Sequence, residues 1–328
     1  MKVLVTGASS LLGSETLDRL SAEGHDTRAF QRNPSGTTRD EVLGDVADPA
    51  ATAAAVRGVD TVIHLAAKVG AVGPWAEYER TNVLGTATLI EAAFAAGVQR
   101  FVHVSSPSVA HAGSSLVGAP AGPADPSSAR GNYSRSKAMA ELTALGADVA
   151  GFSVVAVRPH LVWGPGDTQL VGRIVERAEQ GRMALIGSGA ALIDTTYIDN
   201  AADALVAAAK RADRLGGRAF VVSNDQPRPI AEILNRIVGA AGLGPIGRRV
   251  PTRVALGGGA VAERAWARMG RSDEPPMTRF VAEQLSTAHW FDQRETQAAL
   301  EWVPLVSLEE GFDRLGAWFA NRRDSDPT

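Results

Sequence analysis

The first two-thirds of the chain alternates short apolar runs with longer stretches rich in alanine and leucine. The short runs predict strands over residues 2–6, 27–30, 61–65, 100–105, 153–158 and 218–222. The longer stretches predict helices near residues 11–23, 50–56, 78–96, 134–149 and 200–212. Several of the strands are apolar throughout, as expected where helices cover both faces of a sheet. The alternation therefore predicts an α/β fold with right-handed crossovers and a doubly wound parallel sheet.

The regular alternation weakens after residue 159, which suggests a second unit. Residues 110–131 are rich in Ala, Gly, Pro and Ser, a composition that predicts a long loop. From about residue 226 short helical patterns are interrupted by Pro and Gly. We predict a dinucleotide-binding domain over 1–159, to which 194–225 return, and a smaller C-terminal substrate lobe formed by 160–193 and 226–328.

Composition narrows the function classes. Of the 328 residues, 45% are hydrophobic and 21% are charged, which is ordinary for a globular protein. The formal net charge is −3, and Lys and Arg form no stripe that could follow a phosphate backbone. Nucleic acid is therefore not an expected partner, and a small molecule is.

Cysteine is absent, which excludes disulfides, thiol nucleophiles and thiolate metal ligands. The six histidines lack the spacing of metal ligands, so no metal site is predicted. The chain opens on an apparent strand without a signal-peptide pattern. Its longest apolar runs fall short of the roughly 18 residues that read as a membrane-spanning helix. We expect a soluble, cytoplasmic enzyme without an integral membrane segment.

A glycine-containing turn joins the first predicted strand to the first predicted helix. At such a junction backbone N–H groups and the helix N-terminus can hold a pyrophosphate. Gly7 suits the tight turn and Gly13 a close approach of helix and sheet, whereas Ser10 replaces the usual middle glycine. The predicted cofactor contacts of this turn are Gly7, Ser9, Ser10, Leu11, Leu12 and Gly13.

The end of the second strand bears on the choice between NAD and NADP. An NAD site usually has an acidic residue there that accepts hydrogen bonds from the ribose hydroxyls. This chain has Gln31 in that position, followed by Arg32. Gln does not repel a 2′-phosphate and Arg can bind one; the alternative is that Arg32 is a solvated loop residue. We predict NADP, with NAD as the alternative.

A short acidic segment, residues 45–48, lies just before the predicted helix at 50–56. Asp45 and Val46 are predicted to contact the adenine. Asp48 precedes Pro49, and Asp before Pro is typical of a helix start. We therefore assign the ligand role to Asp45 and a structural role to Asp48.

Tyr133 and Lys137 lie four residues apart in a predicted helix, so both side chains share one face. Interconversion of a ketone and an alcohol needs a group that gives or takes the hydroxyl proton. A free Tyr has a pKa of about 10, and a nearby ammonium would favour its phenolate form. We predict that Tyr133 is the acid–base group and that Lys137 also holds the nicotinamide ribose.

Two further polar residues are candidates for the same site. Ser106 follows a strand, and ligands of open α/β sheets bind at the carboxyl ends of strands. Its hydroxyl could orient a carbonyl, with Ser105 as the competing choice. Asn82 interrupts a predicted helix, where Asn is disfavoured, and is predicted to hold a backbone carbonyl or a water near the site.

Taken together, these motifs resemble the extended short-chain dehydrogenases/reductases. The resemblance covers nearly the whole chain and includes the run from Arg158 to Gly166 and the Asp199-Asn200 pair. It implies a Rossmann-like fold, a catalytic Tyr, and a homodimer formed by helices packing into a four-helix bundle. It also implies cofactor contacts from residues at or just after the ends of the predicted strands 61–65 and 153–158, namely Leu65, Ala66, Ala67, Pro159, Leu161 and Val162.

The substrate branch must be argued separately. Sugar-nucleotide members of the family commonly have an Arg where this chain has Ile193, and dehydratases have an acidic pair where it has Pro107 and Ser108. These differences argue against sugar-nucleotide chemistry. Residues 158–166, Asp199-Asn200 and the tail segment 285–292 instead resemble the 3β-hydroxysteroid dehydrogenase-like branch of the family. We therefore predict an NADP-preferring oxidoreductase that interconverts a ketone and a secondary alcohol on a hydrophobic substrate, such as a 2-alkyl-3-oxoalkanoate or a sterol. A nucleotide-sugar epimerase or dehydratase is the alternative, and a non-catalytic NADP sensor is a third possibility.

Overall fold

The computed structural model describes residues 1–37, 39–70, 72–110, 113–269, 275 and 277–325, apart from the side chains of residues 267, 324 and 325. The main sheet contains β1 (Lys2–Thr6), β2 (Asp26–Gln31), β3 (Asp40–Leu43), β4 (Thr61–His64), β5 (Arg100–Val104), β7 (Ser153–Pro159) and β12 (Ala219–Val222). Shorter strands are β6 (Leu116–Ala119), β8 (Val162–Trp163), β9 (Leu185–Ile186), β10 (Leu192–Ile193), β11 (Thr196–Tyr197), β13 (Arg228–Pro229), β14 (Arg249–Val250) and β15 (His289–Phe291).

Within the described residues the main sheet has seven strands in the order β3-β2-β1-β4-β5-β7-β12. Every neighbouring pair is parallel. The strand order reverses between β1 and β4, and such a switch point creates a ligand crevice at the carboxyl ends of the strands. The predicted doubly wound parallel sheet is confirmed. The edge strand β3 was not among the predicted ranges, because its residues are partly exposed and do not form an apolar run.

The helices are α1 (Leu11–Ala22), α2 (Pro49–Ala55), α3 (Trp75–Tyr78), α4 (Gly85–Ala95), α5 (Gly131–Gly146), α6 (Val171–Glu179), α7 (Ile198–Leu215), α8 (Ile230–Ala240), α9 (Thr252–Arg268), α10 (Arg279–Gln284), α11 (Arg294–Leu300) and α12 (Leu308–Ser325). A π-helical segment, Glu79–Leu84, joins α3 to α4. No helix in the described part of the chain is both long and apolar enough to cross a membrane.

Two apolar cores cover the two faces of the main sheet. Val5 and Val102 lie in the core that includes Leu205 of α7, whereas Leu4 and Phe101 lie in the core that includes residues of α4 and α5. Neighbouring residues of one strand thus enter opposite cores, since side chains alternate along a strand. This explains why these strands read as continuous apolar runs.

A smaller sheet has the order β13-β10-β15-β6. Its strand β6 lies inside residues 110–131, so the prediction of a plain loop there is wrong for Leu116–Ala119. This strand forms through parallel pairing with β15, about 170 residues later in the chain, as Leu116 opposite His289 shows. Its local sequence carries no such signal. A third apolar core lies in this part of the molecule and includes Trp163, Ile193 and Phe312.

Candidate active site

The turn after β1 is shaped by two glycines. Gly7 has φ of +68°, and a Cβ on it would lie 2.8 Å from the backbone nitrogen of Ala66. A Cβ on Gly13 would lie 2.4 Å from the carbonyl oxygen of Gly7. Both positions therefore require glycine, as the sequence predicted. Ser10 caps α1, since its Oγ accepts a hydrogen bond from the Gly13 N–H at 3.1 Å and donates one to the Gly7 carbonyl at 2.8 Å.

This turn fits the pyrophosphate of a dinucleotide. The N–H groups of Leu11 and Leu12 lie in the first turn of α1, where a helix provides no internal acceptor. Ser9 and Ser10 are exposed, so a ligand can approach the turn. Leu65 and Ala66 follow β4 directly alongside, and Ala67 comes next. The predicted contacts around the turn thus lie at one edge of the sheet.

The end of β2 contains a hydrogen bond that the sequence did not indicate. Gln31 is buried, and its Nε2 donates to Oε1 of Glu41 on β3 at 2.6 Å. The same Oε1 accepts the N–H of Ser35 at 3.1 Å. Arg32, next to Gln31, is exposed. A carboxylate therefore lies beside the residue that occupies the usual acidic position.

Asp45 and Val46 follow β3. The Asp45 carboxylate accepts the N–H of Ala47 at 2.9 Å and pairs with Arg80 at 2.9 Å. Val46 is buried against α4, since a Cβ on Gly85 would lie 2.5 Å from Val46 Cγ1. Their adenine contacts remain a prediction. Asp48 caps α2 by accepting the N–H of Ala50, which confirms its structural role.

The three predicted catalytic side chains lie at the carboxyl end of β5. Ser106 follows this strand, and its side chain lies near enough to the Tyr133 phenol to lower the pKa of that phenol. Ser106 Oγ also lies 3.0 Å from Ser108 Oγ. Lys137, one turn beyond Tyr133 on α5, is buried and donates from Nζ to the Val104 carbonyl at 2.6 Å. The helix and the strand thus hold an acid–base pair and a hydroxyl together.

The pKa values in this group follow from burial. Burial raises the pKa of Tyr133 above its ordinary value of 10, the Ser106 hydrogen bond opposes this, and the neighbouring Tyr78 adds to it. Burial lowers the pKa of Lys137 to about 8, with Glu141 opposing. Lys137 Nζ is bound to the strand backbone and is not among the groups that shift the pKa of Tyr133, so the expectation that its ammonium favours the Tyr133 phenolate stays a prediction.

Asn82 is buried in the π-helical segment and holds the chain near the site in place. Its Oδ1 accepts the Lys68 N–H at 2.7 Å and its Nδ2 donates to the Lys68 carbonyl at 3.0 Å. Nδ2 also donates to Ser136 Oγ at 2.8 Å, and that hydroxyl donates to the Tyr133 carbonyl at 2.8 Å. The predicted bond to a backbone carbonyl is present, and a π-turn is a frequent feature of functional sites.

A buried histidine connects the glycine turn to this region. His64 Nδ1 lies 2.7 Å from Thr6 Oγ1, which accepts the Ala66 N–H at 3.1 Å. His64 Nε2 lies 3.0 Å from Thr86 Oγ1, which donates to the Asn82 carbonyl at 2.6 Å. Since the single hydroxyl hydrogen of Thr86 is used in that bond, Nε2 must carry the imidazole hydrogen and Nδ1 must accept from Thr6.

This histidine stays neutral, because burial lowers the pKa of His64 to about 3. The sequence showed His64 as a polar residue at the end of an apolar strand, and that was the available signal for its role. Thr6 and Thr86 gave no such signal.

The segment after β7 passes close to the glycine turn. Pro159 ends β7, and Leu161 has φ of +44°, which turns the chain into β8 at Val162. A Cβ on Gly166 would lie 3.6 Å from Cδ1 of Leu11. The residues predicted from both segments to bind the cofactor thus belong to one region, although their contacts with it remain predictions.

A buried ion pair supports the catalytic helix. Arg158 of β7 donates from Nε to Glu141 of α5 at 2.8 Å, and both side chains are almost fully buried. The guanidinium also binds the carbonyls of Ala121 and Gly122. It therefore ties α5 and the segment after β6 to the main sheet.

Ile193 ends β10 and is buried in the apolar core of the smaller part of the molecule. The neighbouring Asp194 accepts the Ser223 hydroxyl at 2.6 Å, and burial raises the pKa of Asp194 to about 6. The side chain at position 193 therefore supplies packing and no charge.

Comparisons with known proteins agree with this geometry. The model of the NAD dependent epimerase/dehydratase family matches residues 3–223. The chain is 41% identical to 2-alkyl-3-oxoalkanoate reductase of Stenotrophomonas maltophilia, over 97% of this chain and 99% of that protein. It is 28% identical to human sterol-4-alpha-carboxylate 3-dehydrogenase, decarboxylating, over 97% of this chain and 88% of that protein. MoeE5, solved in complex with UDP-glucose and NAD, has a TM-score of 0.74 and 26% identity, with 99% of this chain and all of that chain covered.

The resemblance predicted from the motifs is confirmed. The family match covers more than half of the chain and includes the glycine turn, Ser106, Tyr133 and Lys137. The chain belongs to the NAD dependent epimerase/dehydratase family, as an NAD(P)-dependent oxidoreductase.

Proposed function

We propose that this protein interconverts a ketone and a secondary alcohol of the 3-oxo/3β-hydroxy type on a hydrophobic substrate, with NADP as the preferred cofactor. The observation that carries the proposal is the placement of Ser106, after β5, beside Tyr133 of α5, with Lys137 of the same helix bound to the Val104 carbonyl. These groups lie at the carboxyl edge of the sheet, where the dinucleotide turn also lies.

The proposed mechanism assigns each side chain one task. The bound cofactor supplies a hydride to the carbonyl carbon of the substrate. Ser106 donates a hydrogen bond to the carbonyl oxygen, and Tyr133 gives that oxygen its proton, so that the C=O bond becomes a CH–OH group. The raised pKa of the half-buried Tyr133 keeps the phenol protonated at neutral pH, which suits the reductive direction. Lys137 is held in place by the Val104 carbonyl and would hold the ribose of the bound cofactor.

Two observations support a hydrophobic substrate. Relatives that cover nearly the whole chain are named as a 2-alkyl-3-oxoalkanoate reductase and as a sterol carboxylate dehydrogenase. Ile193 is buried and apolar where sugar-nucleotide enzymes commonly have an Arg, so a diphosphate would lose a charge-assisted hydrogen bond.

The alternative is a nucleotide-sugar epimerase or dehydratase. It is favoured by the structural likeness to MoeE5, whose structure contains UDP-glucose and NAD. The 26% identity of that neighbour is lower than the 41% identity to the reductase of Stenotrophomonas maltophilia. We therefore place this alternative second.

The proposed preference for NADP depends on Arg32. This side chain is exposed next to the end of β2 and is free to reach a 2′-phosphate. Arg is well suited to a phosphate, because its planar guanidinium can donate two parallel hydrogen bonds.

Replacement of Tyr133 tests the mechanism. We expect Tyr133→Phe to lower kcat by about 100-fold or more, because an acid–base group typically contributes 10²–10⁴ in rate. The dissociation constant of the cofactor should stay close to that of the wild type. Tyr197→Phe, which removes a hydroxyl from another buried Tyr in the apolar core around Trp163, should keep wild-type turnover. Normal turnover by Tyr133→Phe would refute the mechanism.

A substrate panel tests the rest of the proposal. The purified protein is assayed with 2-alkyl-3-oxoalkanoates, sterols, UDP- and dTDP-sugars, each with NADPH and with NADH. We expect reduction of β-keto acids with long chains, at a higher kcat/KM with NADPH. Turnover of a nucleotide sugar alone would favour the alternative function, and equal kcat/KM with both cofactors would contradict the NADP preference.

We also propose a homodimer formed by α4 and α5. Both helices carry large apolar side chains that are about half exposed or more, namely Leu84 just before α4, Phe94 on it, and Leu142 on α5. Exposed apolar side chains on adjacent helices favour a protein–protein contact.

The division into two lobes and the cytoplasmic location stay predictions.

A further inference from the structure

The hydrogen bond at the end of β2 fixes the orientation of the Gln31 amide. An ionised carboxylate only accepts hydrogen bonds, so the group that faces Glu41 must be the Gln31 NH₂. The distance of 2.6 Å from Nε2 to Oε1 agrees with this assignment. The Gln31 carbonyl oxygen is therefore directed away from Glu41.

This oxygen is a buried acceptor that lacks a donor. Gln31 is 5% exposed, and among the described residues no donor lies within hydrogen-bond distance of its Oε1. Buried acceptors are rarely left unpaired in native structures. At this end of β2 the adenosine ribose of a dinucleotide normally binds. Its 2′-hydroxyl is a donor that Gln31 can accept, whereas a 2′-phosphate ester presents acceptor oxygens at the same place.

Glu41 adds a negative charge next to this acceptor. Hydrogen bonds from Ser35 lower the pKa of the Glu41 carboxyl, so it is ionised at neutral pH. The hydrogen bonds from Gln31 Nε2 and from the Ser35 N–H both reach Oε1. Within the described part of the chain, no cation forms an ion pair with this carboxylate.

We propose that Glu41 is a residue that determines cofactor specificity. Its carboxylate repels a 2′-phosphate and orients Gln31 to accept the 2′-hydroxyl of NAD, so it opposes the attraction of Arg32 for NADP. This inference rests on the proposed function and adds a limit to its NADP preference: the ratio of the affinities for the two cofactors is set by both residues.

The substitution Glu41→Gln tests this proposal with little change in shape. Its carbonyl oxygen can remain where Oε1 accepts from Gln31 and Ser35, so both hydrogen bonds persist and only the charge is lost. We expect the dissociation constant of NADP⁺ to fall by about tenfold, since a like-charge contact is removed. The dissociation constant of NAD⁺ should change little. Both are measured by calorimetric titration of the purified full-length protein, without a ketone substrate.

Glu179→Gln provides the matched control. It removes one negative charge from an exposed position at the end of α6, and it should leave the ratio of the two dissociation constants unchanged. The proposal would be overturned if Glu41→Gln kept the wild-type ratio of the two dissociation constants, either because neither constant changes or because both change by the same factor. Circular dichroism melting verifies that each variant is folded.

The outcome is separable from that of the proposed function. A shifted NADP⁺/NAD⁺ ratio in a protein that reduces none of the ketones would refute the reaction and support the role of Glu41. Reduction of a ketone by the protein, together with an unshifted NADP⁺/NAD⁺ ratio in Glu41→Gln, would support the reaction and refute the role of Glu41.

Discussion

Lys137 is an ammonium group enclosed by protein. It is 3% exposed, and its Nζ has the Val104 carbonyl as a hydrogen-bond partner. Glu141, one turn further along α5, is committed to Arg158 and compensates the Lys137 charge only in part. Burial therefore lowers the pKa of Lys137 from an ordinary 10.5 to about 8, and the charged form costs stability.

This cost predicts a pH dependence. Between pH 8 and 10.5 the unfolded chain keeps a proton on Lys137 that the folded chain has released, so the free energy of unfolding rises with pH in that interval. Below pH 8 the cost is fully present. Lys137→Met lacks this titration. We expect the stability of the wild type relative to Lys137→Met to rise by up to about 3 kcal/mol from pH 7 to pH 10.5.

The measurement is urea denaturation of both proteins across that pH range. Other titrating groups cancel in the difference, since the two proteins share them. Lys210→Met changes an exposed lysine on α7 and should show no such rise. A difference between wild type and Lys137→Met that stays constant with pH would show that Lys137 is not desolvated.

For single residues, the sequence predicted which residues form the candidate site better than it predicted their hydrogen-bond partners. The spacing of Tyr133 and Lys137, and the position of Ser106 after a strand, were sufficient to select these residues. The partner of Lys137 lies on β5, 33 residues away, and no local pattern shows it. Glu41 escaped notice for the same reason, because its role depends on pairing between β2 and β3.

Separate elements are joined by the hydrogen-bond chain through His64. It begins at the turn after β1, crosses β4 and ends on the helix that contains Asn82. Every hydrogen bond in this series has a defined direction, because the Thr86 hydroxyl donates to the Asn82 carbonyl and must accept from His64. This series of hydrogen bonds thus fixes the position of the glycine turn after β1 relative to the catalytic helix α5.

Thr86→Val tests the importance of this series of hydrogen bonds. Valine has nearly the same shape but leaves the His64 N–H and the Asn82 carbonyl without their partner. We expect the free energy of unfolding to fall by about 1–3 kcal/mol, the usual cost of an unsatisfied buried polar group. Thr88→Val is the control, since Thr88 is buried in the same helix and its hydroxyl bonds to no histidine in the described part of the chain. Equal effects of the two substitutions in denaturant unfolding would contradict the role of the chain.

Elements that depend on local pattern were predicted well, and those that depend on distant pairing were not. β1, β4 and β5 were found within one or two residues, because each is an apolar run covered on both faces. β6 was read as a loop, since it exists only by pairing with β15. The π-turn at Asn82 was seen only as an unfavourable residue inside a helix.

At the scale of the molecule, the apolar side chains on α4 and α5 lead to a prediction about assembly. Phe94 is 59% exposed, which is unusual for a large aromatic side chain. We expect Phe94→Glu to convert the proposed homodimer to a monomer, because a charge buried in an apolar interface is costly to desolvate. Sedimentation velocity at matched concentration measures the change.

Leu305→Glu serves as the control for this substitution. Leu305 is more exposed than Phe94 and lies away from α4 and α5, before α12. It should leave the sedimentation coefficient unchanged. A wild-type protein that sediments as a monomer, or a Phe94→Glu variant that remains dimeric, would contradict the proposed interface.

The sequence by itself determined the doubly wound sheet, the glycine turn, and the Tyr133, Lys137 and Ser106 set. These features are encoded by short-range patterns: apolar runs, a turn that only glycine permits, and an i,i+4 spacing on one helix face. The tertiary structure decided which groups are desolvated and which are paired. It raised the pKa of Tyr133, placed Glu41 beside Gln31 and joined His64 to Asn82. Such effects arise between residues far apart in the chain, since burial and hydrogen bonding depend on every element that packs around a group.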